Sequence, residues 1–411
     1  KINGFNALVP RRKAEEAAAA GEALVHGPAY GQPAPLRDGA DDAAAWPTHR
    51  HDARRSGCAS TTIAGALKPA WTAPVGATPT AVTVAQGRCF VADRDAHTVR
   101  ALDAATGKPA WSFTAGGRID SPPTFHRGKV VFGCADGRVY CLRAMDGALV
   151  WRLLAAPMDK RLVAFEQLES LWPVSGSVLV RDAACYCVAG RSMFLEGGLR
   201  LLKIDVETGE LLAETIMDDR DPETGQNLQT LKKNHNMPVA LPDVLSSDGR
   251  LVYMRHVAFD RGGVRQNAPE RHLFSPTGLL DDTWWHRSYW IYGTSFYTGY
   301  RDWFRSGREV PAGRMLVFDG SRVYGFGRKA EYFNWSSPLE YQLFASDKQP
   351  EIVASPKKQP RLPAWGQKQI RYRWTAEVPL LARAMVLAGD VLFVAGPPDV
   401  LNESAVYSVL D

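Results

Sequence analysis

The sequence predicts an all-β chain, a β-propeller of seven or eight four-stranded blades with long top-face insertions, and three observations carry that prediction. Tryptophans close short apolar segments at Trp71, Trp111 and Trp151, 40 residues apart each time. Whole strand pairs recur at nearly the same step: GRCFVADRD (87–95) matches GKVVFGCAD (128–136), and TVRALDAATG (98–107) matches RVYCLRAMDG (138–147). Six strand-turn-strand copies are readable, those around Gly87, Gly128 and Asp182 and the stretches 244–255, 315–327 and 384–396. One such sheet cannot bury both faces alone, and radial stacking of four-stranded sheets solves that problem.

Taken in order, residues 1–45 read as a linker or strap, with a short helix over Lys13 to Leu24, where strong helix formers cluster, followed by an aperiodic Gly/Pro/Asp stretch. Next, WPTHRHDARRSG (46–57) is polar and rich in His and Arg; an exposed basic loop capped by a packed Trp is favoured over a ligand site. The propeller occupies 46–411, and its clear repeats begin at Ala66. In Val99-Arg100-Ala101-Leu102 the side chains alternate across a pleated strand, Asp103 accepts backbone hydrogen bonds at the following turn, and Gly107 supplies the positive φ that ends it. Cys141 aligns with Ala101 and so reads as a small core residue. A third copy, 199–215, keeps the turn Asp205 to Gly209 but has Ala213 where the Trp would stand.

Trp71, Trp111, Trp151 and Trp374 are assigned to packing between blades, each burying up to about 250 Å², with Trp374 in YRWTAEVP echoing the Trp71 strand WTAPVG. Insertions interrupt the repeat near 153–174, 218–242 and 271–310. SAVYSVLD (404–411) looks like the third strand of a blade; either the strand at Trp71 completes that blade and closes the ring, the favoured reading, or a final blade is missing.

Composition narrows the function classes. A net charge of +5, from 49 basic and 44 acidic residues mixed throughout, provides no nucleic-acid groove. Six cysteines show no metal-site spacing, so no metal site is expected. No apolar run reaches membrane-spanning length, and the chain reads as soluble, a section of a longer polypeptide.

Repeats of the form ALDAATGKPAW resemble the tryptophan-docking repeats of the pyrroloquinoline-quinone-like β-propellers, the superfamily of quinoprotein alcohol dehydrogenases and of the assembly lipoprotein BamB. The likeness covers roughly 66–411 and is strongest at 98–111 and 138–151. More narrowly, WPTHRHDARRSG and HLFSPTGLLDDTWWHRSYWIYG look like segments of bacterial multidomain proteins that carry such propellers. The resemblance implies a periplasmic or exported location. The redox members of the superfamily carry an adjacent-cysteine disulfide, a Trp floor under the quinone, a calcium site and an Asp base. Here no Cys-Cys dipeptide occurs, and Cys185-Tyr186-Cys187 is the nearest substitute. No cofactor is therefore expected, and pyrroloquinoline quinone with calcium is the weaker reading.

Candidate site residues lie where the repeat is interrupted. Asp281, Asp282 and His286, with Arg255 and His256, form the candidate catalytic set, able to supply an acid/base pair. Trp284, Trp285, Arg287, Tyr289, Trp290 and His272 form the candidate ligand wall, because aromatic density of this order marks binding surfaces. Glu166, Gln167 and Glu169 are either funnel carboxylates and amide or a solvated loop. The favoured function is a non-redox binding or scaffold propeller that presents its loops to a protein or glycan partner, or supports another domain of the same polypeptide. The alternative is an enzyme acting on a sugar, alcohol or polysaccharide at the central funnel.

Overall fold

The computed structural model describes residues 23–36, 44–63, 67–164, 166–221, 223–231, 244–267, 270–276, 290–296, 305–329, 341–354 and 367–400. Within them seven main sheets follow one another along the chain as the blades of a propeller. Blade 1 is Thr83–Ala85, Arg88–Asp93, Thr98–Asp103 and Pro109–Thr114, and blade 2 is Thr124–His126, Lys129–Gly133, Arg138–Arg143 and Leu149–Leu154. Blade 3 is Leu179–Arg181, Ala184–Ala189, Leu199–Asp205 and Leu211–Met217; blade 4 is Leu245–Ser247, Val252–Met254, Val257–Phe259 and Arg265–Gln266. Blade 5 has three strands, His272–Phe274, Trp290–Gly293 and Ala312–Gly313. Blade 6 is Met315–Phe318, Arg322–Arg328, Tyr341–Asp347 and Trp374–Ala376, and blade 7 is Ala384–Ala388 with Val391–Ala395. Successive strands within each blade pair antiparallel, and the first strands of blades 1, 2 and 3 lie side by side.

The core lies between the sheets. Ala92, Val99, Ile119, Phe132, Tyr140 and Leu142 fill the space between blades 1 and 2. Val131, Cys141, Trp151, Cys185, Leu202 and Ile204 fill that between blades 2 and 3. Trp71, Trp111 and Trp151 each reach the turn of a neighbouring blade in the same way. The indole Nε1–H of Trp71 donates to the carbonyl of Ala104 at 3.0 Å, that of Trp111 to Ala144 at 2.9 Å, and that of Trp151 to Val206 at 2.9 Å. Beneath each ring sits a glycine, Gly107, Gly147 or Gly209, with φ of 70°, 75° and 79°. A Cβ there would lie 2.5, 2.6 or 2.8 Å from a ring atom, so glycine is required twice over, for the dihedral and for the space. Asp103 and Asp205 shape these turns by accepting from the amides of Thr106 and Thr208.

Strand register explains the missing fourth Trp. Trp111 stands opposite Ala101 and Trp151 opposite Cys141; Ala213 holds the same place opposite Lys203. Trp374 lies on the outer strand of blade 6 opposite Ala345, exposed, with its ring 6.3 Å from that of Tyr324.

Several expectations change. Leu24, expected to end a helix, opens the strand Leu24–His26, which adds to the outer edge of blade 2 with His26 opposite Trp151. That cover helps bury Trp151 completely. The stretch 271–310, expected to be an insertion, supplies two of the three strands of blade 5, and Ala312–Gly313 follows just beyond it. Their apolar runs are separated by long polar and aromatic segments that hide the repeat. The insertion at 153–174 carries its own hairpin, Arg161–Ala164 with Gln167–Ser170. Residues 1–22 and 404–411 lie outside the described residues.

Truncating Trp151→Ala is expected to destabilise the protein by about 3–5 kcal/mol. Trp374→Ala should stay within about 0.5 kcal/mol. Urea unfolding of the two variants compares them.

Candidate functional site

The segment expected to be an exposed basic loop runs instead along the inner edges of the blades. Inner strands leave amides and carbonyls unpaired on the side facing the axis, and buried backbone groups of that kind need partners. Residues 46–59 provide them. Trp46 exchanges backbone hydrogen bonds with Val84 of blade 1, and the amide of Phe125 in blade 2 donates to the Pro47 carbonyl. Ser247 of blade 4 donates to Ala53, Phe318 of blade 6 to Ser56, and Leu387 of blade 7 to Gly57. Cys58–Ala59 then pairs parallel with Leu387 and Ala388.

Two buried arginines finish the job. Arg55 has 0% exposure, and its guanidinium donates to the carbonyls of Val178 (3.0 Å), Leu245 (2.8 Å) and His49 (3.0 Å) and to Thr48 Oγ1 (2.8 Å). Blades 3 and 4 are thus joined through one side chain. Arg50 donates to the carbonyls of Arg55 and of Leu316 in blade 6, and its guanidinium lies 4.4 Å over the ring of Trp290 in blade 5. Burial lowers both arginines to about 10, still far above neutral, so both remain cations. Positive φ at Arg50, His51 and Arg55 winds the segment tightly, at about 1 kcal/mol or more each. The sequence misled because a run of basic residues ordinarily faces water, and only the carbonyl rim at the axis makes burial tolerable.

Of the candidate catalytic set, Arg255 and His256 are both buried and form the hairpin turn between Met254 and Val257, with Arg255 at φ 54° and its guanidinium 5.1 Å from the Phe296 ring. His256 is held down to about 3, first by burial and then by Arg255, His272 and Arg265, so it stays neutral. His272 stacks on Tyr253 at 3.7 Å, and its ring nitrogens lie 2.8 and 2.7 Å from the carbonyls of Glu270 and Arg255. Its contacts are those of a structural pivot. Trp290 is buried and packs under Arg50. Asp281, Asp282, Trp284, Trp285, His286, Arg287 and Tyr289 lie outside the described residues.

In the first insertion, Glu169 is no solvated loop residue. Its carboxylate is fully buried, 2.5 Å from Arg118 and 2.6 Å from Arg191, while Arg118 also holds Asp120 at 2.6 Å. Gln167 Oε1 meets His97 Nε2 at 2.7 Å, and Glu166 sits at the hairpin tip with φ 62°. Among the described residues no group of His, Cys, Asp and Glu is arranged to hold a metal ion.

Residues 49–280 match the family model described as outer membrane protein assembly factor BamB, a PQQ-type repeat family. The chain belongs to that family. A curated relative, the dehydrogenase subunit of a quinone-dependent alcohol dehydrogenase from Gluconobacter oxydans (strain 621H), is 29% identical over 124 residues. That match covers 28% of this chain and only 16% of the relative. BamB from Moraxella catarrhalis is 17% identical with a TM-score of 0.33, covering 60% of this chain and 68% of that one. Quinohemoprotein alcohol dehydrogenase from Comamonas testosteroni is 14% identical with a TM-score of 0.48, covering 85% and 70%. No residue role is taken from either structure.

The quinone of the dehydrogenase relatives can be tested against the residues present. Cys185 and Cys187 are free, buried in the core between blades 2 and 3 beside Trp151, and burial drives Cys187 up to about 12. Both thiols pack in that core among Val131, Trp151 and Leu202 and form no disulfide. Free thiols in these positions do not fit a cysteine-capped quinone.

Arg55→Lys should destabilise the protein by about 3 kcal/mol in urea unfolding, because one ammonium cannot reproduce the planar fork. A second expectation concerns acid. Below the ordinary value of 6.5 the unfolded chain binds a proton that folded His256 refuses until about 3. His49 and His272 shift the same way, so stability is full above 6.5 and falls toward 3. His256→Gln should flatten the fall in Tm between those limits, as read by scanning calorimetry.

Proposed function

We propose that this protein is a non-redox propeller scaffold that binds a protein partner through its projecting loops, in the manner that the description of its family as an assembly factor suggests. The observation that carries the reading is the course of residues 46–59. They pass from blade 1 to blade 7 and fix the inner strands by backbone hydrogen bonds and two buried guanidinium groups. An axis built in this way serves rigidity, because a rigid frame holds its loops in fixed relation for recognition.

The hairpin Arg161–Ala164/Gln167–Ser170 suits the role of a presented element. Val163 is 76% exposed and Leu168 54% exposed, while the neighbouring Glu169 is anchored by Arg118 and Arg191. An apolar tip on an ion-paired base gives a recognition element a fixed direction. The aromatic stretch with Trp284 and Trp285 is assigned a similar part from its composition. A periplasmic or exported location accords with this role, and no helix among the described residues is long and apolar enough to cross a membrane.

The test has two arms. Chemical cross-linking in the native source, read by mass spectrometry, is expected to join the protein to a protein partner, with capture reduced by Val163→Asp with Leu168→Asp and by Trp284→Ala with Trp285→Ala. Purified chain incubated with pyrroloquinoline quinone and calcium is expected to retain no quinone absorbance on gel filtration and to reduce no dye with alcohols. Retained quinone with dye reduction would overturn the scaffold reading, as would capture indifferent to both pairs of variants.

A further inference from the structure

Where blades 4, 5 and 6 meet the axial segment, a cavity of about 190 Å³ is lined by residues from all four. Three cations converge on it: Arg54 from the axial segment, Arg271 from the start of blade 5, and Lys348 at the end of a blade 6 strand. One carboxylate, Asp248, shares the lining, and it is already engaged. Its Oδ1 accepts from the amides of Arg250 and Leu251 at 2.7 and 2.8 Å, and its Oδ2 accepts from Tyr253 Oη at 2.6 Å.

The two other carboxylates acting on Lys348 are committed to their own turns. Asp52 accepts from the amide and hydroxyl of Ser56, and Asp319 from Ser321, Arg322 and Tyr324. By contrast, the side chains of Arg54 and Arg271 make no hydrogen bond or ion pair among the described residues. Among the described residues the Lys348 ammonium donates to the Gly320 carbonyl alone, at 3.3 Å. Its ammonium lies 4.8 Å from the ring centre of Phe318 and 5.7 Å from that of Tyr292, two walls of the same cavity.

Cations placed this close repel one another, and a partly buried ammonium is poorly hydrated. Lys348 shows both effects: burial first, and Arg54 second, lower its proton affinity. Planar guanidinium forks that meet no acceptor among the described residues suit an oxyanion, which would take donors from two directions and relieve the repulsion.

We propose that this cavity binds a small oxyanion group, phosphate or carboxylate, held by Arg54, Arg271 and Lys348 against the Tyr292 and Phe318 rings. Among the described residues that line the cavity none belongs to the 161–170 hairpin, so loss of anion binding and loss of partner capture through that hairpin are separable outcomes.

Calorimetric titration of the full chain with inorganic phosphate, and separately with acetate, at matched chloride concentration tests it. Saturable binding of at least one is expected, and the anion that binds identifies the ligand class. Arg54→Gln with Arg271→Gln, and Lys348→Gln alone, should each weaken that binding about tenfold or more. Heats no greater than dilution for both anions, or variants that bind as tightly as the parent chain, would overturn the proposal. Should Lys348→Gln not fold, the Arg54/Arg271 pair still decides, because those exposed side chains touch no protein acceptor among the described residues.

Discussion

Inner strands with open edges are the constraint around which this molecule is built. Every blade of a propeller turns one strand toward the axis, and each such strand carries amides and carbonyls that no sister strand can satisfy. Residues 46–59 meet that need by threading past the edges and bonding to them one after another. Arg55 is the clearest instance, since a charge with no exposure is tolerable only when its donors are all directed at acceptors. Four acceptors from the axial segment and two blades surround it.

A second constraint acts at the outside of the ring. The indoles of Trp71, Trp111 and Trp151 each span the gap to a glycine turn and end in a hydrogen bond to its backbone. The two devices divide the labour. Outer tryptophans fix how one blade lies on the next, while the axial arginines tie together blades that are far apart in sequence. The electrostatic consequences follow from the inner device: guanidinium charge at the axis depresses the affinity of His49 for a proton, after burial itself. Arg54, one residue from Arg55, is left facing the cavity between blades 4, 5 and 6.

Family membership leaves function open between two kinds of relative, assembly factors and quinone-dependent dehydrogenases. The distinction rests on what side chains stand where. Cys185 and Cys187, both free, are interior packing between blades 2 and 3. Arg255 and His256 form a buried hairpin turn of blade 4, and the ring nitrogens of His272 lie against the carbonyls of Glu270 and Arg255.

Much of the fold was readable in advance because it is local. Alternation along 98–103, the Asp-to-Gly turns and the recurring Trp are properties of short windows. The register that places Ala213 where Trp111 and Trp151 stand in their blades follows from counting along them. Blade 5 was hidden because long aromatic and polar segments separate its strands. The course of 46–59 could not be read at all, since its partners lie between 38 and 330 residues away, as with Trp46 to Val84 and Gly57 to Leu387. The sequence by itself determined the repeat, because strand and turn chemistry act between near neighbours. Only the tertiary structure decided that a basic, polar segment is buried at the axis, because burial of a charge depends on acceptors that distant blades supply.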